Sequence, residues 1–372
     1  MRERITQSKR WVVKVGSSLV TNNGRGLDLN AIEDWAGQLV AMQKLGIQVV
    51  LVSSGAVAEG VARLELKSRP KQVQLQQAAA AVGQMGLIQA YETCFMRHGV
   101  HAAQILLSHD DLSDRTRYLN ARGTLTTLLT MGVVPVVNEN DTVATAELCF
   151  GDNDTLAALV ANLINADVML ILTDQDGLFD ADPRSNADAK LVNSAAALDG
   201  SLSAMAGEGS SLGRGGMTTK ISAARLASRS GTNTLIANGR EQQVLSRLLA
   251  GEEIGTLLYT ENEPVTAKKQ WLASQRMLKG SVELDEGAVK VLKESGRSLL
   301  AVGVVAAKGI FARGDVVACL DTTGREIARG LANYSSGEIE QIKGRSSESI
   351  AQILGYAGEA EIIHRDNLML SD

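Results

Sequence analysis

Between Trp11 and Asn238, short β-branched apolar runs alternate with longer stretches of helical periodicity, and this alternation admits few folds. The strand candidates are WVVKV at 11–15, IQVVLV at 47–52, AAQILL at 102–107, VVPVV at 133–137, VMLIL at 168–172 and NTLIA at 233–237. Most are apolar throughout, as in strands covered on both faces. Helical patterns over Leu29–Leu45, Val57–Leu64, Arg115–Met131, Thr155–Ile164 and Lys220–Ser230 lie between them, separated by polar, glycine-rich turns. The fold class expected is α/β: an αβα sandwich on a mainly parallel sheet, with its chemistry beyond the carboxyl ends of the strands.

With 372 residues the chain has room for more than one domain. Its pattern changes after Leu258, where YTENEPVTAKKQ is polar and carries Pro264. The expected division is a first domain over 1–262, a linker over 263–277 and a small β-rich domain over 278–372. That last part holds the runs SLLAVGVVAA and GDVVACL and the helical segment SSESIAQIL.

A net charge of −5 argues against a polyanion as the main partner, since phosphate-backbone binding draws on clustered Lys and Arg. From Arg276 onward, twelve Lys and Arg face fourteen Asp and Glu, so RNA binding by the tail is disfavoured even though Lys343 and Arg345 form a local pair. Three widely spaced cysteines, Cys94, Cys149 and Cys319, form neither a disulfide framework nor a zinc spacing, and a reducing, cytoplasmic compartment is expected. MRERITQSKR is no signal segment, and no stretch approaches the roughly 18 apolar residues of a membrane span. The four histidines, His98, His101, His109 and His364, show no metal spacing and read as structural.

Five segments are candidates for chemistry. In VVKVGSS, Lys14 ends the first strand before Gly16, Ser17 and Ser18; it is either a phosphate-neutralising ammonium or a strand-edge lysine. VSSGAVAEG carries Ser53, Ser54 and Gly55 into a helix, where the serines read as anion ligands or as plain N-caps. NEND at 138–141 and GDND at 151–154 cluster carboxylates and carboxamides that suit an amino acid's amino group or the orientation of lysines; the bland reading is turn chemistry. Thr173 and Asp174 follow a buried strand. GRGGMTTK at 213–220 is a glycine loop ending in Lys220, suited to β- and γ-phosphates or simply a mobile turn. It is not a Walker loop, and no nucleophilic triad stands out.

Two lysines, glycine turns and acidic clusters without an evident base fit phosphoryl transfer, which rests on positioning and charge neutralisation. A carboxylate acceptor, with an ordinary pKa of about 4.3, is already ionised near neutrality and needs no base.

In order, VVKVGSS, VSSGA, NENDTVAT, GDND, LTDQDGLFDADPR and GGMTTK closely resemble the amino-acid kinase family, and within it the branch that phosphorylates the side-chain carboxylate of free L-glutamate. The tail resembles a PUA domain. The resemblance implies that Lys14 and Lys220 stabilise the transferring phosphoryl group while Asp154 orients both. It implies that Ser54, Gly55, Asn138, Asp141 and Asn153 contact glutamate. Lys14, Thr173, Asp174, Gly215, Gly216, Met217, Thr218, Thr219 and Lys220 would hold ATP, with Mg²⁺ bridging its phosphates and no metal site made by the protein alone.

The implied product is glutamyl 5-phosphate, handed to a reductase in the first step of proline synthesis, with proline as feedback inhibitor and a homodimer or homotetramer as the assembly. Arg214 departs from the family loop GTGGM. N-acetylglutamate or aspartate as acceptor is the competing reading, disfavoured by the NEND and GDND pair.

Overall fold

The computed structural model describes residues 2–22, 26–143, 153–183, 185–186, 188–206, 216–261, 278–356 and 358–371. The chain divides into two compact units, residues 1–113 with 120–264 and residues 265–372 with 114–119.

The first unit is built on an eight-stranded sheet. Its strands are β1 (Arg10–Val15), β2 (Gln48–Ser53), β3 (Ala102–Leu107), β4 (Val134–Glu139), β5 (Val168–Thr173), β6 (Ser194–Ala196), β7 (Asn233–Asn238) and β8 (Thr256–Tyr259). They lie in the order β3-β4-β2-β1-β5-β7-β8-β6. All pairs are parallel except β7 with β8. β4 and β5 are buried at every position, and β1 and β2 at all but the first, so the central sheet is covered on both faces as its apolar runs require.

One covering layer holds helices α1 (Leu29–Lys44), α2 (Ala56–Arg63) and α3 (Val73–Arg97), followed along the chain by α4 (Arg115–Thr130). Trp11, Val13, Val49 and Leu51 of the sheet pack in one core with Leu39 of α1 and Leu87, Tyr91 and Phe95 of α3. Helices α5 (Asn153–Ile164) and α6 (Met217–Ser228) pack side by side, and α5 contacts β1, β2, β4 and β5. Asp28 starts α1 by accepting from Ala31 N–H at 3.1 Å, an N-cap that satisfies one of the helix's free donors.

Register fixes where the strands end. Val15 lies opposite Ser53 and Leu172, Val52 opposite Val137, and Thr173 opposite Asn238. The exits of β1, β2, β4, β5 and β7 therefore share one edge, where parallel sheets gather their chemistry. Among the described residues of this unit, α3, with 25 residues, is the one long helix outside the sequence-based expectations.

The second unit has a five-stranded sheet of β9 (Gly280–Leu284), β10 (Val304–Gly309), β11 (Val316–Leu320), β12 (Glu326–Leu331) and β13 (Leu368–Leu370), ordered β10-β9-β11-β12-β13. It is β-rich as expected, with its own core of Val282, Leu292, Val317, Tyr334, Ile339 and Ile363. Two further helices, α7 (Glu286–Ser295) and α8 (Ser336–Ile342), were not legible beforehand. The expected helix SSESIAQIL is a 3-10 turn over Ser347–Ser349 running into a short α-helix, Ile350–Leu354. The expected linker over 263–277 lies outside the described residues. Among the described residues no helix is long and apolar enough to cross a membrane.

Candidate active site

β1 delivers Lys14 to the shared edge, in register with Val52 and Ile171, one residue before the chain leaves the sheet at Val15. Asp154 sits in the first turn of α5, where the helix dipole favours an anion. Lys220 sits in the first turn of α6, on its buried side. The three side chains converge. Lys14 Nζ is 2.5 Å from Asp154 Oδ1, and Lys220 Nζ is 3.1 Å from Asp154 Oδ2. Thr219 Oγ1 lies 3.0 Å from the same Oδ2 and 2.7 Å from the Gly216 carbonyl, and its single proton serves one acceptor at a time.

Exposure is 6% for Lys14, 7% for Lys220 and 0% for Asp154, so solvent screens this cluster little. Burial pushes the Asp154 carboxyl upward, yet the two ammonium groups outweigh it and hold the group below its ordinary range. One carboxylate between two ammonium groups leaves one positive charge in surplus. A buried surplus of that sign is costly unless an anion completes it.

α6 begins at Met217, three residues earlier than its sequence pattern indicates, because Gly216 takes the extended capping conformation. Its first intrahelical bond is Lys220 N–H to Gly216 C=O at 3.4 Å, which leaves the N–H groups of Met217, Thr218 and Thr219 in the free first turn. Thr173, buried at the end of β5, donates to Asp174 Oδ1 at 3.2 Å, and Asp174 is exposed. Gly215 and the rest of the loop over 213–215 lie outside the described residues, as do Gly151 and Asp152.

Beside the charged cluster runs a chain of buried carboxamides. Asn153 Nδ2 donates to the Ser53 carbonyl at 2.5 Å and to Asn138 Oδ1 at 2.8 Å. Asn138 Oδ1 also accepts from Glu139 N–H at 2.9 Å, and Asn138 Nδ2 donates to Gln84 Oε1 at 2.7 Å. Ser53 Oγ meets Tyr91 Oη at 3.0 Å, and burial raises the Tyr91 phenol well above its usual value. Gly55 caps α2 with φ +103°, and a Cβ there would stand 3.0 Å from Thr21 Cγ2, so this turn calls for glycine on both counts. Ser54 is half-buried before it, and Asp141 is half-buried in the turn after β4.

The structure thus joins Lys14, Asp154, Thr219 and Lys220 in one cluster, and Asn138 with Asn153 in the chain beside it. Gln84 and Tyr91, both on α3, were not foreseen. The spacing of Gly60, Gly83 and Gly86 was the available signal, since small residues mark close helix approach. A Cβ at Gly83 would collide with the Ala56 carbonyl, and one at Gly60 with Ala79, so α2 and α3 touch backbone to backbone. A separate cleft of about 410 Å³, lined by residues including Leu19, Asp34, Trp35 and Arg240, contains none of the foreseen site residues.

The amino acid kinase family description matches residues 9–238, a span that holds every member of the cluster. The chain belongs to the amino acid kinase family. A PUA domain follows, matched over residues 280–354. Within the amino acid kinases, the chain is 61% identical over 371 residues to a glutamate 5-kinase of Nitrosospira multiformis, covering 100% of both chains. It is 59% identical to a glutamate 5-kinase of Thioalkalivibrio sulfidiphilus, covering 99% of each. A UMP kinase structure from Bacillus anthracis aligns with 68% of this chain and 97% of its own, at 17% identity and a TM-score of 0.48.

Proposed function

We propose that this amino acid kinase transfers the γ-phosphoryl group of ATP to the side-chain carboxylate of L-glutamate, giving glutamyl 5-phosphate. The observation that carries the reading is the buried Lys14–Asp154–Lys220 cluster with its surplus positive charge. The full-length similarity to glutamate 5-kinases supports the choice of acceptor.

In this reading the acceptor carboxylate attacks the γ-phosphorus as the bond to the bridging oxygen of ADP breaks. The acceptor is ionised at neutral pH, so no base is needed. The obstacle is electrostatic, an anion approaching a polyanion. Lys14 and Lys220 offset it by lying on the charge that spreads over the transferring oxygens. Asp154 is a positioning residue: it holds both ammonium groups at fixed places so that little reorganisation accompanies the transfer.

The free N–H groups of Met217, Thr218 and Thr219, with Gly215 and Gly216 before them, bind ATP phosphates. Thr173 and Asp174 complete the nucleotide site. Ser54, Gly55, Asn138, Asp141 and Asn153 hold glutamate. Asp154 is committed to two lysines, and among the described residues no group of three or more His, Cys, Asp or Glu side chains could hold a metal. Mg²⁺ would arrive with the nucleotide and would supply charge neutralisation at its phosphates.

The product is an acyl phosphate, suited to a reductase on the route to proline. Feedback by proline, a homodimer or homotetramer, a cytoplasmic location and a domain boundary at the 263–277 linker complete the proposal. The test is glutamate-dependent ADP formation with hydroxylamine trapping of the acyl phosphate. Turnover with glutamate but not aspartate or N-acetylglutamate is expected, and absence of glutamate-dependent turnover in folded protein overturns the reading.

A further inference from the structure

The carboxamide chain beside the cluster has a fixed polarity. At one end the Ser53 carbonyl can only accept, so Asn153 presents its nitrogen there. Further along, the Glu139 N–H can only donate, so Asn138 presents its oxygen to it. With Asn138 Oδ1 set, its Nδ2 faces Gln84, and Gln84 must answer with Oε1. The orientation of Gln84 is thereby dictated by two backbone groups, which removes the usual O/N ambiguity of an amide side chain. Its Nε2 is left as the terminal donor.

That donor is buried and has no hydrogen-bond partner among the described residues, in a side chain only 8% exposed. A buried N–H₂ group without an acceptor is destabilising, so such groups are rare in the absence of a ligand or a solvent molecule. Its position is set by packing: α3 touches α2 at Gly83, where a Cβ would strike the carbonyl of Ala56, the residue after Gly55, and Gln84 is the next residue of α3. Asn138, its hydrogen-bond partner, lies at the end of β4 on the same edge.

We propose that Gln84 Nε2 donates to the α-carboxylate of the amino-acid acceptor and is a specificity-determining binding residue. This rests on the glutamate-kinase reading above. The reacting carboxylate faces Lys14 and Lys220, and an amino group would meet the Gln84 donor with its own protons. The group left for a terminal N–H₂ is the second carboxylate. A donor that is satisfied only when that carboxylate is present rejects acceptors that lack it.

The experiment compares wild type with Gln84→Glu and Gln84→Met, each checked for wild-type melting, in steady-state kinetics against L-glutamate and against ATP. Gln84→Glu keeps the acceptor that Asn138 uses and removes the donor; Gln84→Met removes both. Both variants are expected to raise the KM for glutamate about ten-fold or more, the loss typical of a hydrogen bond to a charged group, with the KM for ATP and kcat changed less than about three-fold. Near-wild-type kinetics in Gln84→Glu with a defect confined to Gln84→Met overturns the proposal and makes Gln84 a support for Asn138. A fall in kcat at constant KM in both variants also overturns it, because the residue would then serve the reacting end. If wild type shows no turnover with glutamate, the glutamate reading fails before Gln84 is reached. Should both variants melt early, Gln84→Asn and Gln84→Leu are measured on the same scale: a glutamate KM at the wild-type value in folded Gln84→Leu overturns the proposal, and a rise in both supports it.

Discussion

Lys14 Nζ and Asp154 Oδ1 stand 2.5 Å apart with the aspartate fully buried, and Lys220 occupies the other oxygen of the same carboxylate. Removing the anion from this arrangement leaves two buried ammonium groups facing one another. Asp154→Asn is expected to abolish turnover and to cost about 3–5 kcal/mol of stability, the usual penalty for breaking a buried ion pair from one side. Urea denaturation measures it. Lys220→Met, which leaves Lys14 and Asp154 paired, is expected to lose turnover with a smaller loss of stability; an Asp154→Asn midpoint equal to wild type contradicts the electrostatic account.

The same cluster sets an acid limit. The folded Asp154 carboxyl titrates below its ordinary 3.8 because two ammonium groups hold it ionised against burial. A folded value below the unfolded one means that its contribution is complete above the unfolded pKa and is lost as pH falls toward the folded value. Stability measured by urea midpoint is therefore expected to drop for wild type as pH falls below about 4, and to drop less steeply in Asp154→Asn. Parallel curves for the two proteins would remove Asp154 from the explanation.

Gly55 links the fold to the acceptor side of the site. Its φ of +103° is open to glycine, and Thr21 Cγ2 stands 3.0 Å from where a Cβ would be. Gly55→Ala is expected to cost about 1–3 kcal/mol and to raise the KM for glutamate while sparing that for ATP. Thermal melting and steady-state kinetics on one preparation check both halves.

The strands of the first unit were legible because runs such as VMLIL are apolar at every position, and only a strand buried on both faces needs that. The antiparallel β7–β8 pair was not, since Thr256–Tyr259 is four residues long and its direction comes from the chain's return path. Helix α3 was missed because the residues it buries include Ala79, Ala80, Gly83, Gly86 and Ala90, and small residues leave no strong apolar stripe. Lys14, Asp154 and Lys220 could be singled out from glycine and acid motifs, but their meeting depends on β1 ending, and α5 and α6 beginning, at one edge. The glycines flanking Gln84 signal only a close helix approach; its significance lies in a hydrogen-bond polarity set by Ser53 and Glu139, residues distant from it in sequence.

Two glycine-to-alanine changes, both in helices, separate packing from propensity. At Gly83 a Cβ would strike the Ala56 carbonyl, and a backbone atom cannot rotate aside, so α3 must move off α2. Gly83→Ala is expected to cost about 1–3 kcal/mol, as overpacking does, and to weaken glutamate binding because Ala56 adjoins the Gly55 turn. Gly123 lies in α4 with nothing within 4 Å of a Cβ, so alanine there adds helix propensity without a clash. Gly123→Ala is expected to stabilise by about 0.5–1 kcal/mol and to leave kinetics unchanged. A lower melting temperature for Gly83→Ala with a raised KM for glutamate, beside a higher one for Gly123→Ala, supports backbone contact between α2 and α3 as what holds the acceptor side of the site; a Gly83→Ala melting temperature and KM at the wild-type values would mean that the helices can separate without consequence for that turn.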